Sequence, residues 1–145
     1  MTRINSNINI KQLTDEHLLA EHREIKRLPN CLIKSIQCGS IKHIPNKFTL
    51  GTGHVKFFLD KQKFIYNRYK KIHKELLNRG FNVEDYSDNW KWIIEDGKYF
   101  NDYVPTIEEQ NLLKERISIR IYESTKKSWH YYQKIITKIE AINLL

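Results

Sequence analysis

Four side chains able to do acid, base or cation chemistry recur at helical spacing near the start of this chain. His17, Glu21, Glu24 and Arg27 fall at i, i+4, i+7 and i+10, so a helix brings them to one face. Arg23, Lys26 and Arg27 cluster around Glu24. A carboxylate set among cations suits proton transfer, or the stabilisation of positive charge that develops during a reaction. On a face that only binds phosphate the same carboxylate is counterproductive. Other catalytic patterns are missing. There is no Ser nucleophile elbow and no HExxH, and His17 and His22 are five apart, the wrong spacing for two ligands on one helix face. Cys31 and Cys38 match neither a zinc pattern nor a CxxC. The Gly51-Thr52-Gly53 segment lacks the dinucleotide and Walker patterns. No metal and no cofactor is expected.

Composition narrows the class of partner. The 145 residues carry 25 Lys+Arg against 17 Asp+Glu, a net charge of +8, with a pI of about 9.4. A small domain this basic meets a polyanion, and nucleic acid is the first candidate. Arg116 and Arg120 form a second basic pair at i, i+4, able to neutralise phosphates. Trp129, Tyr131 and Tyr132 offer rings that either stack on bases or pack the end of the core. The two cysteines read as reduced thiols. No apolar run approaches the roughly 18 residues needed to span a bilayer, and the polar residues after Met1 do not make a signal peptide. The expectation is a soluble, intracellular, monomeric protein of one domain, residues 1–145.

The elements that must position these residues are helical. Residues 1–12 lack caps and read as an extended arm. Thr14 reads as an N-cap, with Asp15 and Glu16 where the helix dipole favours negative charge. A first helix is expected over Asp15–Arg27, stopped by Pro29. Residues 30–53 hold a short helical stretch and then loop. The longest helix is expected from His54 to Arg79, because Phe58, Ile65, Tyr69, Ile72 and Leu76 make a helical stripe. Gly80 is its expected C′ residue. Lys63, Lys70 and Lys74 form a basic face on another side of it. Residues 81–105 read as loop with a short helix at most. Thr106 and Glu109 form a capping box, opening a third helix through Leu113, Ile117 and Ile121. No segment has the length and alternation of a sheet. The fold class is therefore all-α, with three main helices in one domain and an extended N-terminal arm.

Several blocks in order give these elements a family. Thr2-Arg3-Ile4-Asn5 is followed by LTDEHLLAEHREIKR (13–27) and IPNKFTLGTGHVKFFLDK (44–61). RGFN (79–82), DYVP (102–105) and WHYYQK (129–134) come after. Together they resemble the phage and viral pyrimidine-dimer DNA glycosylases of the endonuclease V type, over roughly residues 2–134. The resemblance implies three helices with the arm threaded between them, and double-stranded DNA carrying UV photoproducts as substrate. It implies that the α-amine of Thr2, freed by removal of Met1, is the nucleophile and that Glu24 is the catalytic carboxylate. Arg3, His17, His22, Arg23, Arg27, Arg116 and Arg120 take the DNA-contacting positions. This chain departs from the pattern by one extra residue in the arm, by His22 where the best-known members carry Tyr, and by Lys26 where some carry Pro.

The chemistry implied is covalent. An α-amine titrates near 8 rather than near 10.4 as Lys does, so a useful fraction is neutral around pH 7. Attack on C1′ of the 5′ nucleotide of the dimer gives a protonated imine, and β-elimination then breaks the strand as an AP lyase does. Two other readings stay open on sequence alone. One is a glycosylase and AP lyase for another lesion on the same scaffold. The other is a non-catalytic helical DNA-binding module, which leaves Glu24 unexplained.

Overall fold

The structure, a computed structural model, describes residues 3–145. Met1 and Thr2, and with them the expected nucleophile, lie outside the described residues. Among the described residues the fold is all-α apart from one small hairpin. Four helices dominate the described residues: α1 (Asp15–Ile25), α2 (Arg27–Cys38), α4 (Gln62–Asn78) and α6 (Ile107–Glu123). Shorter helices are α3 (His54–Phe57), α5 (Lys91–Asp96) and α7 (Lys138–Asn143). Strands β1 (Ser128–Tyr131) and β2 (Lys134–Thr137) pair antiparallel, Trp129 opposite Ile136.

Two expected boundaries move, each for a physical reason. Pro29 does end the first helix, but four residues upstream of itself. Its ring excludes the carbonyl of residue 25 and it has no N–H to offer, so α1 stops at Ile25. Pro29 then occupies the first turn of α2, where the backbone N–H needs no partner within the helix. The expected His54–Arg79 helix is also broken. Phe57, Phe58 and Leu59 are all buried, at 3%, 0% and 4% exposure. Three consecutive residues sweep 200° of a helix, so a turn at Phe58–Lys61 is what lets all of them reach the core. Carbonyls of the 99–101 loop then accept the N–H groups that open α4: Tyr99 from Gln62, and Asn101 from Lys63 and Phe64. Beyond the break the stripe holds, with Ile65, Tyr69, Ile72 and Leu76 buried and Lys63, Lys70 and Lys74 exposed on the outer side.

The hairpin is the element that alternation did not announce. Its turn, Tyr132-Gln133, has φ of 51° and 64°. Both central residues must be left-handed in a tight two-residue turn of this type, at a cost of about 1–2 kcal/mol each without glycine. Asp15 offsets that cost. Its carboxylate accepts the Tyr132 N–H at 3.1 Å and the Gln133 N–H at 2.8 Å, and it bonds Arg79 at 2.9 Å. The Tyr131 and Tyr132 rings cover the Arg79 guanidinium at 4.8 and 4.5 Å. Next to it Gly80 (φ 89°) leaves room for Gln133, whose Nε2 lies 2.6 Å from where a Cβ would sit. The acidic first turn of α1 thus holds the hairpin; Glu16 takes the His130 N–H at 2.8 Å.

The arm is clamped along its length by charged and polar side chains that reach out of the core. Ile4 and Ile8 are fully buried and Leu13 nearly so. Arg68 of α4 donates to the Ile8 carbonyl at 2.5 Å. Arg79 donates to the carbonyls of Leu13 at 2.9 Å and Ile10 at 3.2 Å. Tyr131 donates its hydroxyl to Lys11 O at 2.7 Å. Contrary to expectation the arm is not extended throughout: it turns at Ser6 (φ 41°) and closes a 3-10 turn over Ile10–Gln12, and these side chains take peptide groups that its few backbone bonds leave over.

Candidate active site

Helix α1 presents His17, Ala20, Glu21 and Glu24 to a cavity of about 230 Å³. The arm supplies Arg3 and Asn5, and α6 supplies Leu113, Arg116, Ile117 and Arg120. The spacing of four and three along α1 and of four along α6 places each set on one face. Of the expected site residues, Arg3, His17, Glu24, Arg116 and Arg120 are therefore brought together. Arg27 stands at the edge, exposed, with its guanidinium 2.9 Å from Glu24. Arg23 is exposed and does not line the cavity. His22 points elsewhere: it is 3% exposed and packs on Tyr69, His73 and Tyr86, with ring centroids 5.6, 5.3 and 5.1 Å away. Five residues on from His17, it lies about 140° around the helix.

Two carboxylates face the cavity, and their exposure separates them. Glu21 Oε1 accepts from Asn5 Nδ2 at 2.8 Å and from Arg68 at 3.0 Å. Its Oε2 accepts from the Asn5 N–H at 3.2 Å and from Arg68 Nε at 2.9 Å. Both oxygens are then fully used, and the side chain is 1% exposed. Glu21 holds the arm. Glu24, with its side chain 21% exposed, is the carboxylate that a molecule in the cavity can meet.

The cations make a positive field around it. Partial burial first, and then the charges of Arg120 and Arg116, lower Arg3 to about 10, so it stays protonated at neutral pH. Burial and Arg120 lower Arg116 in turn. His17 is held below the ordinary imidazole range, chiefly by burial, although Glu16 and Glu21 pull the other way. It stacks on Trp129, centroids 5.3 Å apart and planes 4° from parallel, and its Nδ1 is 2.6 Å from Thr14 Oγ1. Trp129 does not line the cavity; at 8% exposure it backs His17 from the core rather than offering a free stacking surface.

A cavity that joins three guanidiniums to one reachable carboxylate is suited to an anionic substrate on which positive charge develops. The pyrimidine dimer DNA glycosylase family model matches residues 1–89 of this chain. The chain belongs to the pyrimidine dimer DNA glycosylase family. Its substrate is DNA, and its reaction class is removal of a damaged base in DNA repair. The matched residues carry the arm and α1 to α4, and so Arg3, Glu21, Glu24 and Arg68; α6 with Arg116 and Arg120 lies beyond them. Among the described residues no helix is long and apolar enough to cross a membrane, and no three His, Cys, Asp or Glu side chains gather as metal ligands.

What sequence reading missed is the set of bonds that hold the arm, made by Asn5, Glu21, His54, Arg68 and Arg79; Glu21 itself reads from sequence only as part of the α1 face. A signal was present for Arg68. It sits between Ile65 and Ile72 at spacings of three and four, a cation on a buried stripe, which demands a buried partner. Nothing in the spacing distinguishes Glu21 from Glu24, since both share a face with His17.

Proposed function

We propose that this glycosylase cleaves the N-glycosidic bond of the 5′ nucleotide of a pyrimidine dimer with the α-amine of Thr2 as nucleophile and Glu24 as its acid–base partner, and that it then cuts the strand as an AP lyase. The supporting observation is the clamped arm. Arg3, one peptide link from Thr2, lines the same cavity as Glu24, while Glu21 and Arg68 fix the next residues. A nucleophile borne by an arm so fixed avoids most of the entropy of being brought to its target.

The chemistry follows from the charges. Arg3, Arg116 and Arg120 disfavour a further cation, so they lower the affinity of a neighbouring amine for its proton. The neutral nitrogen attacks C1′ of the 5′ nucleotide of the dimer. The C1′–N bond breaks, and the base leaves with that electron pair and takes up a proton. The C1′–O4′ bond then breaks, O4′ takes up the proton that the attacking nitrogen sheds, and an iminium forms between C1′ and the Thr2 nitrogen. Glu24 offsets this positive charge and receives the proton lost from C2′. The electrons left behind expel the 3′ oxygen with its phosphate, which breaks the strand, and water then hydrolyses the imine to release the enzyme. Phosphates flanking the lesion meet Arg3, Arg116, Arg120 and Arg27, and Arg23 extends this surface along α1. A dimer has already weakened local stacking and pairing, which eases access to the sugar.

The reading is tested with Glu24→Gln on a duplex carrying one site-specific thymine dimer. Turnover is expected to collapse while the dissociation constant stays the same or improves, because a negative charge leaves a phosphate-binding surface. Unchanged turnover would remove Glu24 from the mechanism.

A further inference from the structure

We propose that His54 is a positioning residue for this reaction: as a neutral imidazole with its proton on Nδ1 it holds the Ile4 peptide, and so the start of the arm, in register with the cavity. The inference rests on the reading that the reacting amine lies at the start of that arm.

The geometry fixes the state of the ring. Nε2 lies 3.0 Å from the Ile4 N–H, and a backbone N–H only donates, so Nε2 must be the acceptor. Nδ1 lies 2.7 Å from the Thr49 carbonyl, which only accepts, so Nδ1 carries the proton. Both ring nitrogens are satisfied by backbone of opposite character, and only the neutral Nδ1–H tautomer satisfies both. A second proton, on Nε2, would set two donors face to face and sever the one bond from His54 to the arm.

The surroundings enforce the neutral form. His54 opens α3 and is 4% exposed, with Phe48 and Phe58 edge-on at 5.5 and 5.4 Å. The charges facing it are cations: Arg3 from the arm and Arg116 from α6. Lys56 of α3 and Lys34, Cys31 and Cys38 of α2 border the cavity beside it. Burial first, with Arg3 and Arg116 adding to it, holds the ring below the ordinary histidine range, against the opposing pull of the Thr49 carbonyl. His54 therefore holds the second residue after the proposed nucleophile, and it is not among the residues that line the cavity of Glu24.

Two variants test this on a single-dimer duplex. His54→Phe keeps the ring among Phe48 and Phe58 and removes the acceptor. His54→Gln supplies a non-titrating acceptor near the position of Nε2. With both variants shown to be folded by melting, His54→Phe is expected to lower kcat on the order of a hundredfold, as small misplacements of a reacting group do, with KM little changed. His54→Gln is expected to restore most of kcat and to carry an acid limb of the pH–kcat profile shifted to lower pH than wild type. A kcat and pH profile unchanged in His54→Phe would overturn the proposal while leaving the Thr2 reading intact. Loss of kcat in His54→Phe together with no borohydride-trapped N-terminal adduct in wild type would sink the Thr2 reading and retain His54 as the residue that sets Arg3 in place. If His54→Gln fails as badly as His54→Phe and keeps the wild-type acid limb, ring size rather than the acceptor is what matters, and the proposal falls.

Discussion

At the residue scale, the site divides labour between two glutamates one helical turn apart. Glu21 is closed off by four hydrogen bonds, whereas Glu24 is reachable. Glu24→Gln is expected to lower turnover about 10²–10⁴-fold, the usual contribution of a positioned acid–base group, measured as single-turnover nicking with binding followed in parallel. Arg68→Met has the opposite signature. It leaves the Glu21 carboxylate buried with only Asn5 as donor, a loss of about 3–5 kcal/mol, seen in urea unfolding as a lower midpoint. The same variant frees the Ile8 carbonyl, so activity in it should fall even where the fold survives. An Arg68→Met protein as stable as wild type would mean that Arg68 contributes nothing to holding the arm.

At the element scale, the α1 face was legible from spacing, because a carboxylate among cations at helical intervals has few structural uses. The Thr106–Glu109 capping box and the apolar stripe of α4 were legible for the same local reason. What stayed hidden depends on contacts distant in sequence. Pro29 announces a helix end, but not that the chain resumes as α2 a residue later. The Phe57-Phe58-Leu59 run announces burial, but not the turn that achieves it. The 132–133 turn carries neither Asn-Gly nor Asp-Gly; its stability comes from Asp15, more than a hundred residues earlier. Asp15→Ala is therefore expected to cost about 2–5 kcal/mol, since it removes charge-assisted bonds to two hairpin N–H groups and to Arg79. Amide exchange in β1 and β2 should accelerate more than in α4. Equal acceleration everywhere would show that Asp15 contributes to global stability only, and not to the hairpin in particular.

At the scale of the whole molecule, three histidines are held neutral: His17, His22 and His54 are all lowered, burial being the first cause of each. His22 is brought to about 4. The unfolded chain then takes up protons first as pH falls, near 6.5, while the folded chain does not. Stability is full above pH 6.5, declines between 6.5 and about 4, and levels off below for His22. Thermal melting across that window is expected to show the decline, and His22→Phe, which keeps a ring against Tyr69 and Tyr86, to make it shallower. An identical slope in that variant would assign the acid sensitivity to other groups. The arm, α1 and α6 converge on one cavity, and the proposal that the Thr2 amine reacts there is tested by one measurement: borohydride trapping on a duplex with a single thymine dimer, using protein whose N-terminus has been checked by intact mass. The account predicts a covalent protein–DNA adduct that maps to the Thr2 nitrogen and disappears after N-terminal acetylation. An active enzyme that retains Met1, or an adduct that maps to a lysine, would contradict it.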